Sequence, residues 1–67
     1  MPRKTIFDFS RVSFMDSAGI GMIIGRYKMM KLIGGEMEIV NISPNVKRIL
    51  EMSGISKIIS MKEKRAS

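Results

Sequence analysis

Two helix-start signals, Asp16-Ser17 and Ser43-Pro44, each follow a run of β-favouring residues, and this order constrains the fold more than any other feature of the chain. Asp and Ser are good N-caps because a short side-chain oxygen can accept from a first-turn amide. Proline suits the first helical position, where its missing N–H costs nothing. Before the first signal, Lys4 to Phe14 carries Ile6, Phe7, Phe9, Val12 and Phe14, which predicts a first strand with an irregular end. Before the second, Met37 to Ile42 reads as a mostly buried strand.

The segments after the signals have helical spacing. Ile20, Ile23, Ile24 and Tyr27 recur at intervals of three and four and predict a core-facing stripe. Gly34 and Gly35 are expected to supply the left-handed stop. In the second helix Val46, Ile49 and Leu50 mark the buried face and Gly54 the end. Lys57 to Met61 is expected to form a short final strand, followed by a charged, mobile tail from Lys62 to Ser67. The predicted order is β-α-β-α-β. Each crossover has a dozen residues or more, enough for parallel pairing, so the expected fold class is α/β with a small parallel sheet.

At 67 residues the chain is one domain or part of one. A domain of this size buries only about 60% of its unfolded surface, so a partner chain is a natural supplement to its core. Without cysteine, disulfides and thiolate metal sites are excluded. Without histidine as well, a catalytic base or nucleophile would fall to serine, lysine or scattered carboxylates, which points to a binding role and not an enzyme.

The net charge of +6 raises a nucleic-acid reading, but residues 5–61 carry seven basic and five acidic residues. The excess sits at Arg3, Lys4, Lys62, Lys64 and Arg65, where solvated charge runs are usual. A basic face interleaved with aromatics is missing, so direct nucleic-acid binding is not expected. No apolar stretch approaches the roughly 20 residues of a spanning helix. With no secretion signal either, the expected location is cytoplasmic, without a membrane partner. Met22, Met29, Met30 and Met52 on the helices read first as adaptable packing, with a Met-rich partner groove as the alternative.

The segment Phe14-Met15-Asp16-Ser17-Ala18-Gly19-Ile20-Gly21 lies where a strand hands over to a helix, the usual place for sites in parallel sheets. Asp16 and Ser17 would sit beside free first-turn amides, a position that suits an anion, including a phosphate on Ser17. Gly19 and Gly21 would keep the surface shallow enough for close approach by another protein. The plainer reading is a simple cap with permissive glycines. Gly19-x-Gly21-x-x-x-Gly25 imitates a dinucleotide loop, but its glycines fall inside the helix, and no acidic residue ends the second strand near Asn41 and Ile42.

Ser13-Phe14-Met15-Asp16-Ser17-Ala18-Gly19-Ile20-Gly21 resembles the phosphorylation-site signature of the anti-sigma factor antagonists, members of the STAS domain family. The resemblance continues through Gly25-Arg26-Tyr27-Lys28, Gly34-Gly35-Glu36-Met37, Ile42-Ser43-Pro44-x-Val46-Lys47-Arg48, Met52-Ser53-Gly54-Ile55 and Lys57-Ile58-Ile59. It covers about residues 5–61 and looks closest to the sporulation branch.

The resemblance implies a partner switch. The unphosphorylated domain binds an anti-sigma factor that is also an ATP-dependent serine kinase, and so frees the sigma factor. The kinase then phosphorylates the serine after the aspartate, here Ser17, and a phosphatase resets it. Asp16, Ala18, Gly19 and Gly21 are the implied partner-binding residues. No cofactor is implied for this chain, because the ATP belongs to the partner. Ala18 stands where many relatives carry serine or threonine. The family's domain begins with two further strands and a helix and usually ends with another helix. Residues 1–67 are therefore expected to be a single partial STAS domain. Its uncovered strand edge favours a homodimer or a truncated or engineered self-associating fragment.

Overall fold

The computed structural model describes residues 3–64, and over them the chain forms β1 (Lys4–Asp8), α1 (Ser17–Leu32), β2 (Glu36–Ile42), α2 (Pro44–Met52) and β3 (Ser60–Glu63). A 3₁₀ turn at Ile55–Lys57 links α2 to β3. The three strands are all parallel in the order β1-β2-β3, as the β-α-β-α-β reading expects. Ile23 of α1 and Val46 and Leu50 of α2 join Met37, Ile39 and Ile42 of β2 in one buried cluster, so both helices cover the same face of the sheet. Phe9, Ile55 and Ile59 close it at the loops. Burying a side chain of the size of Leu50 or Ile39 contributes roughly 1.5–3 kcal/mol.

β2 changes sides within its own length. Met37 and Ile39 point to the core, as alternation requires, but the next fully buried residue is Ile42 and not Asn41. Asn41 adopts a left-handed backbone with φ 56°, and the pairing of β2 with β3 shifts register between Ile39 and Ile42. Such an irregularity inserts one residue and reverses the inward set. Asn is one of the few residues with a side chain that take up this conformation readily.

Three boundaries differ from the sequence expectation. The first strand ends at Asp8 and not near Phe14. The Asp8 side chain accepts the Ser10 amide at 2.9 Å and Val12 N–H bonds the Phe9 carbonyl at 3.0 Å, so the chain turns while its residues are still apolar. The last strand begins at Ser60, because Lys57 belongs to the 3₁₀ turn that left-handed Gly54 initiates. Lys62 and Glu63 lie in β3, not in a tail, while Arg65 to Ser67 fall outside the described residues. Of the two glycines after α1, only Gly34 is left-handed, at φ 73°. Gly35 is needed for space, since a Cβ there would lie 2.9 Å from the Arg3 carbonyl oxygen.

The face of the sheet away from the helices is held by charge. Glu38 of β2 lies between Lys4 of β1 at 3.2 Å and Lys62 of β3 at 3.5 Å. The hydrogen bond from Lys4 holds its carboxyl below the usual carboxylate range. Among the described residues no helix is long and apolar enough to cross a membrane.

Candidate functional site

The strand-to-helix junction that stood out in the sequence is the start of α1. Asp16 is the N-cap, in extended backbone, and its Oδ1 accepts the Gly19 N–H at 2.9 Å while its carbonyl accepts that of Ile20 at 3.0 Å. Ser17 is therefore the first residue of the helix, and it is exposed. The amides of Ser17 and Ala18 have no acceptor within the helix, which leaves donors and the positive end of the dipole beside the Ser17 hydroxyl. A phosphate on that oxygen would meet compatible groups.

The sequence-predicted residues gather in this first turn but do different work. Ala18 and Gly21 are exposed, and a Cβ at Gly21 would have nothing within 4 Å. Gly19 is half-buried, and a Cβ there would collide with the Met15 thioether. Its small size accommodates Met15 within the chain, whereas Gly21 is open to an outside partner.

The loop that leads to Asp16 is anchored on the strand ends. Asp8 Oδ1 also accepts from the Asn41 side chain at 3.3 Å, so β1, β2 and the start of the loop share one carboxylate. The Ser10 amide, supported by the Asn41 side chain, holds the Asp8 carboxyl below its usual range. Phe9 is buried and its amide bonds the Val40 carbonyl at 2.9 Å. Phe14, in contrast, is exposed near the cap.

On the outer face of α1 the packing reading of the methionines gives way to the alternative of a partner surface. Ala18, Gly21, Met22, Gly25, Met29 and Leu32 follow one another at spacings of one, three and four, and all are exposed. Met22 is 68% exposed, Met29 61% and Leu32 86%. The packing reading holds for half-buried Met30, which accepts from the Thr5 hydroxyl at 3.3 Å, but not for Met22, Met29 or Met52. The signal was present in the sequence: beside the inner Ile20, Ile23, Ile24 and Tyr27, the same helix carries small and apolar residues on its other side. An apolar stripe that faces water and begins at an exposed serine is suited to docking a protein.

Comparison with known proteins places this geometry in context. The model of the STAS domain family matches residues 2–67. The anti-sigma F factor antagonist of Paenibacillus polymyxa is 44% identical over 54 residues, which are 81% of this chain and 46% of that protein. The anti-sigma-B factor antagonist of Bacillus subtilis (strain 168) is 38% identical over 53 residues, 79% of this chain and 49% of that one. The chain thus spans about half the length of these relatives. In the solved structures, a Thermotoga maritima protein described as a candidate anti-sigma factor antagonist superposes with a TM-score of 0.82 over 87% of this chain and 50% of its own, at 24% identity, and supports the fold.

Proposed function

The chain belongs to the STAS domain family, and we propose that within it the chain acts as an anti-sigma factor antagonist, a non-enzymatic binding module switched at Ser17. The observation that carries this reading is the position of Ser17: an exposed first helical residue, capped by Asp16, at the head of an exposed apolar stripe. The unphosphorylated chain binds an anti-sigma factor through Asp16, Ala18, Gly19, Gly21 and the adjoining stripe, so that the sigma factor is released. This takes place in the cytoplasm, in a sporulation-type circuit.

The partner is also a serine kinase. It transfers the γ-phosphoryl group of its ATP to Ser17 Oγ; the new O–P bond forms as the bond to the β-phosphate oxygen breaks, the hydroxyl proton passes to a base of the kinase, and ADP leaves. Phosphoserine adds about 1.5–2 negative charges. The helix start tolerates that charge, so the fold survives. A close apolar interface does not, because burying an unpaired charge is costly, and the partner dissociates. A phosphatase restores the hydroxyl.

The test is phosphotransfer to the purified chain from a sporulation anti-sigma kinase with ATP, read by intact mass. One added phosphate on the native chain and none on Ser17→Ala is the expected result. A native chain that is folded by circular dichroism yet takes no phosphate overturns the reading, as does phosphate on the alanine variant.

A further inference from the structure

β1 ends at Asp8 and Asp16 caps α1, so residues 9–15 decide where the helix that begins at Ser17 starts. The far half of this loop rests on side chains. Val12 and Met15 pack half-buried against the core, and the Met15 thioether fills the space that a Cβ at Gly19 would need. The near half is tied by polar bonds. Val12 N–H reaches the Phe9 carbonyl at 3.0 Å, while Asp8 Oδ1 accepts both the Ser10 amide at 2.9 Å and the Asn41 side chain at 3.3 Å. One carboxylate is thus shared between the loop and the end of β2. Asn41 reaches it through an irregular backbone. Alternation from Met37 and Ile39 would send the Asn41 side chain into the core. Instead its φ is 56°, the register with β3 shifts at this point, and its half-buried amide meets Asp8. Glycine would adopt that φ more easily but would offer no donor. Asparagine tolerates the backbone and also gives an N–H to a carboxylate, the stronger class of hydrogen bond. The joint is held from beyond as well: the Ile42 carbonyl accepts Lys64 N–H at 3.0 Å, and Ser43 caps α2.

We propose that Asn41 is a positioning residue for Ser17: through Asp8 it ties the β1–α1 loop to β2, and so fixes where the helix start presents its hydroxyl to the anti-sigma kinase. The inference rests on the reading of Ser17 as the phosphoryl acceptor. Asn41 acts through Asp8 and not on the hydroxyl itself. All the groups involved lie in β1, β2 and the loop that follows β1. With the tie in place, the loop leaves the sheet in one direction, and the acceptor needs no search when the kinase docks. Without it, Asp8 and Ser10 still form their local turn, but that turn is no longer referred to β2.

Reversing the bond tests the role. Asn41→Asp keeps a residue that accepts left-handed backbone, but it sets two carboxylates against each other with no donor between them. Combining it with Asp8→Asn restores an amide-to-carboxylate bond of opposite direction, and the amide oxygen at position 8 can still accept from Ser10. Initial rates of phosphoryl transfer from a sporulation anti-sigma kinase with ATP are measured over a range of chain concentrations, well below each variant's unfolding transition. Asn41→Asp is expected to lower kcat/KM roughly five- to tenfold, the worth of one hydrogen bond. The double variant is expected to recover to within about twofold of native. Backbone order parameters of residues 10–16 should fall and return in parallel, while those of α2 hold. Ser43→Ala, which weakens the fold at the other helix, should transfer at the native rate. Should Asn41→Asp not fold, Asn41→Gly takes its place with the same expected loss, since it satisfies the backbone and lacks the donor. Undiminished transfer to the folded single variant, a loss the double variant does not recover, or an equal loss in Ser43→Ala overturns the role of Asn41 and leaves Ser17 as acceptor. A native chain that takes no phosphate, or phosphate on Ser17→Ala, overturns the Ser17 reading, and the role of Asn41 falls with it.

Discussion

The two helices lie on the same sheet and begin with the same kind of cap, yet they divide the labour unequally. α2 has nine residues, two of them, Val46 and Leu50, completely buried, and its other side carries Asn45, Arg48 and Glu51. α1 has sixteen residues, of which only Ile23 is buried. The apolar residues of α2, exposed Met52 at its end apart, are gathered on one face, while those of α1 encircle it. An amphipathic helix has been designed for one neighbour, and a helix that is apolar on both sides calls for a second one. The shorter helix therefore anchors the fold and the longer one presents a surface.

The largest effect is expected where α2 meets the sheet. Leu50→Ala removes a fully buried side chain from a well-packed cluster and should cost about 2–5 kcal/mol. Total stabilities are typically about 5–15 kcal/mol, and a domain this small sits toward the low end, so much of the fold is at stake. Urea denaturation followed by circular dichroism measures the loss. A cost below about 1 kcal/mol would mean that the interior adjusts freely and that α2 is not the anchor.

The caps sharpen the comparison, because they are chemically alike. Ser43 Oγ accepts the Val46 amide at 3.3 Å, and Asp16 Oδ1 accepts that of Gly19 at 2.9 Å. Alanine at either position should cost about 1 kcal/mol of stability. If Ser17 is the phosphoryl acceptor, only Asp16→Ala should also slow transfer to it, since only that cap adjoins it. Denaturation midpoints and initial rates of phosphate incorporation, taken on both variants, separate the two roles. Equal slowing by Ser43→Ala would show that transfer follows overall stability and not the local cap.

The physical reasons that made some features legible in the sequence also explain what was not. Asp16 and Ser43-Pro44 mark their helices because capping is a local matter between residues three apart. The parallel sheet follows from the order of segments and the length of the crossovers. The end of β1 was hidden because Phe9, Val12 and Phe14 continue the apolar run, while the Asp8 side chain that turns the chain uses Asn41, 33 residues away, as a second partner. The 3₁₀ turn before β3 was hidden in the same manner, since Ile55, Ile58 and Ile59 look like strand and only Gly54 betrays the turn. At the candidate site the cap and the serine were readable. The different duties of Gly19 and Gly21 were not, because they depend on where the Met15 side chain lies.

Those two glycines give the smallest effect in stability. Gly21→Ala adds a methyl group to the open side of α1, with no atom of the chain within 4 Å, and removes a glycine from a helix interior. Stability should rise by about 0.5–1 kcal/mol. Gly19→Ala gains the same helix propensity but drives its Cβ into Met15, so the sign should reverse. Binding to the proposed anti-sigma partner discriminates further. If the outer face of α1 is the docking surface, Gly21→Ala should weaken affinity even as it raises the melting temperature, since the added methyl holds the partner off. Calorimetric titration against thermal unfolding of the same sample measures both. A Gly21→Ala chain that is more stable and binds unchanged would move the interface off this side of the helix. Exposed Met22, Met29 and Leu32 would then call for an occupant other than the anti-sigma factor.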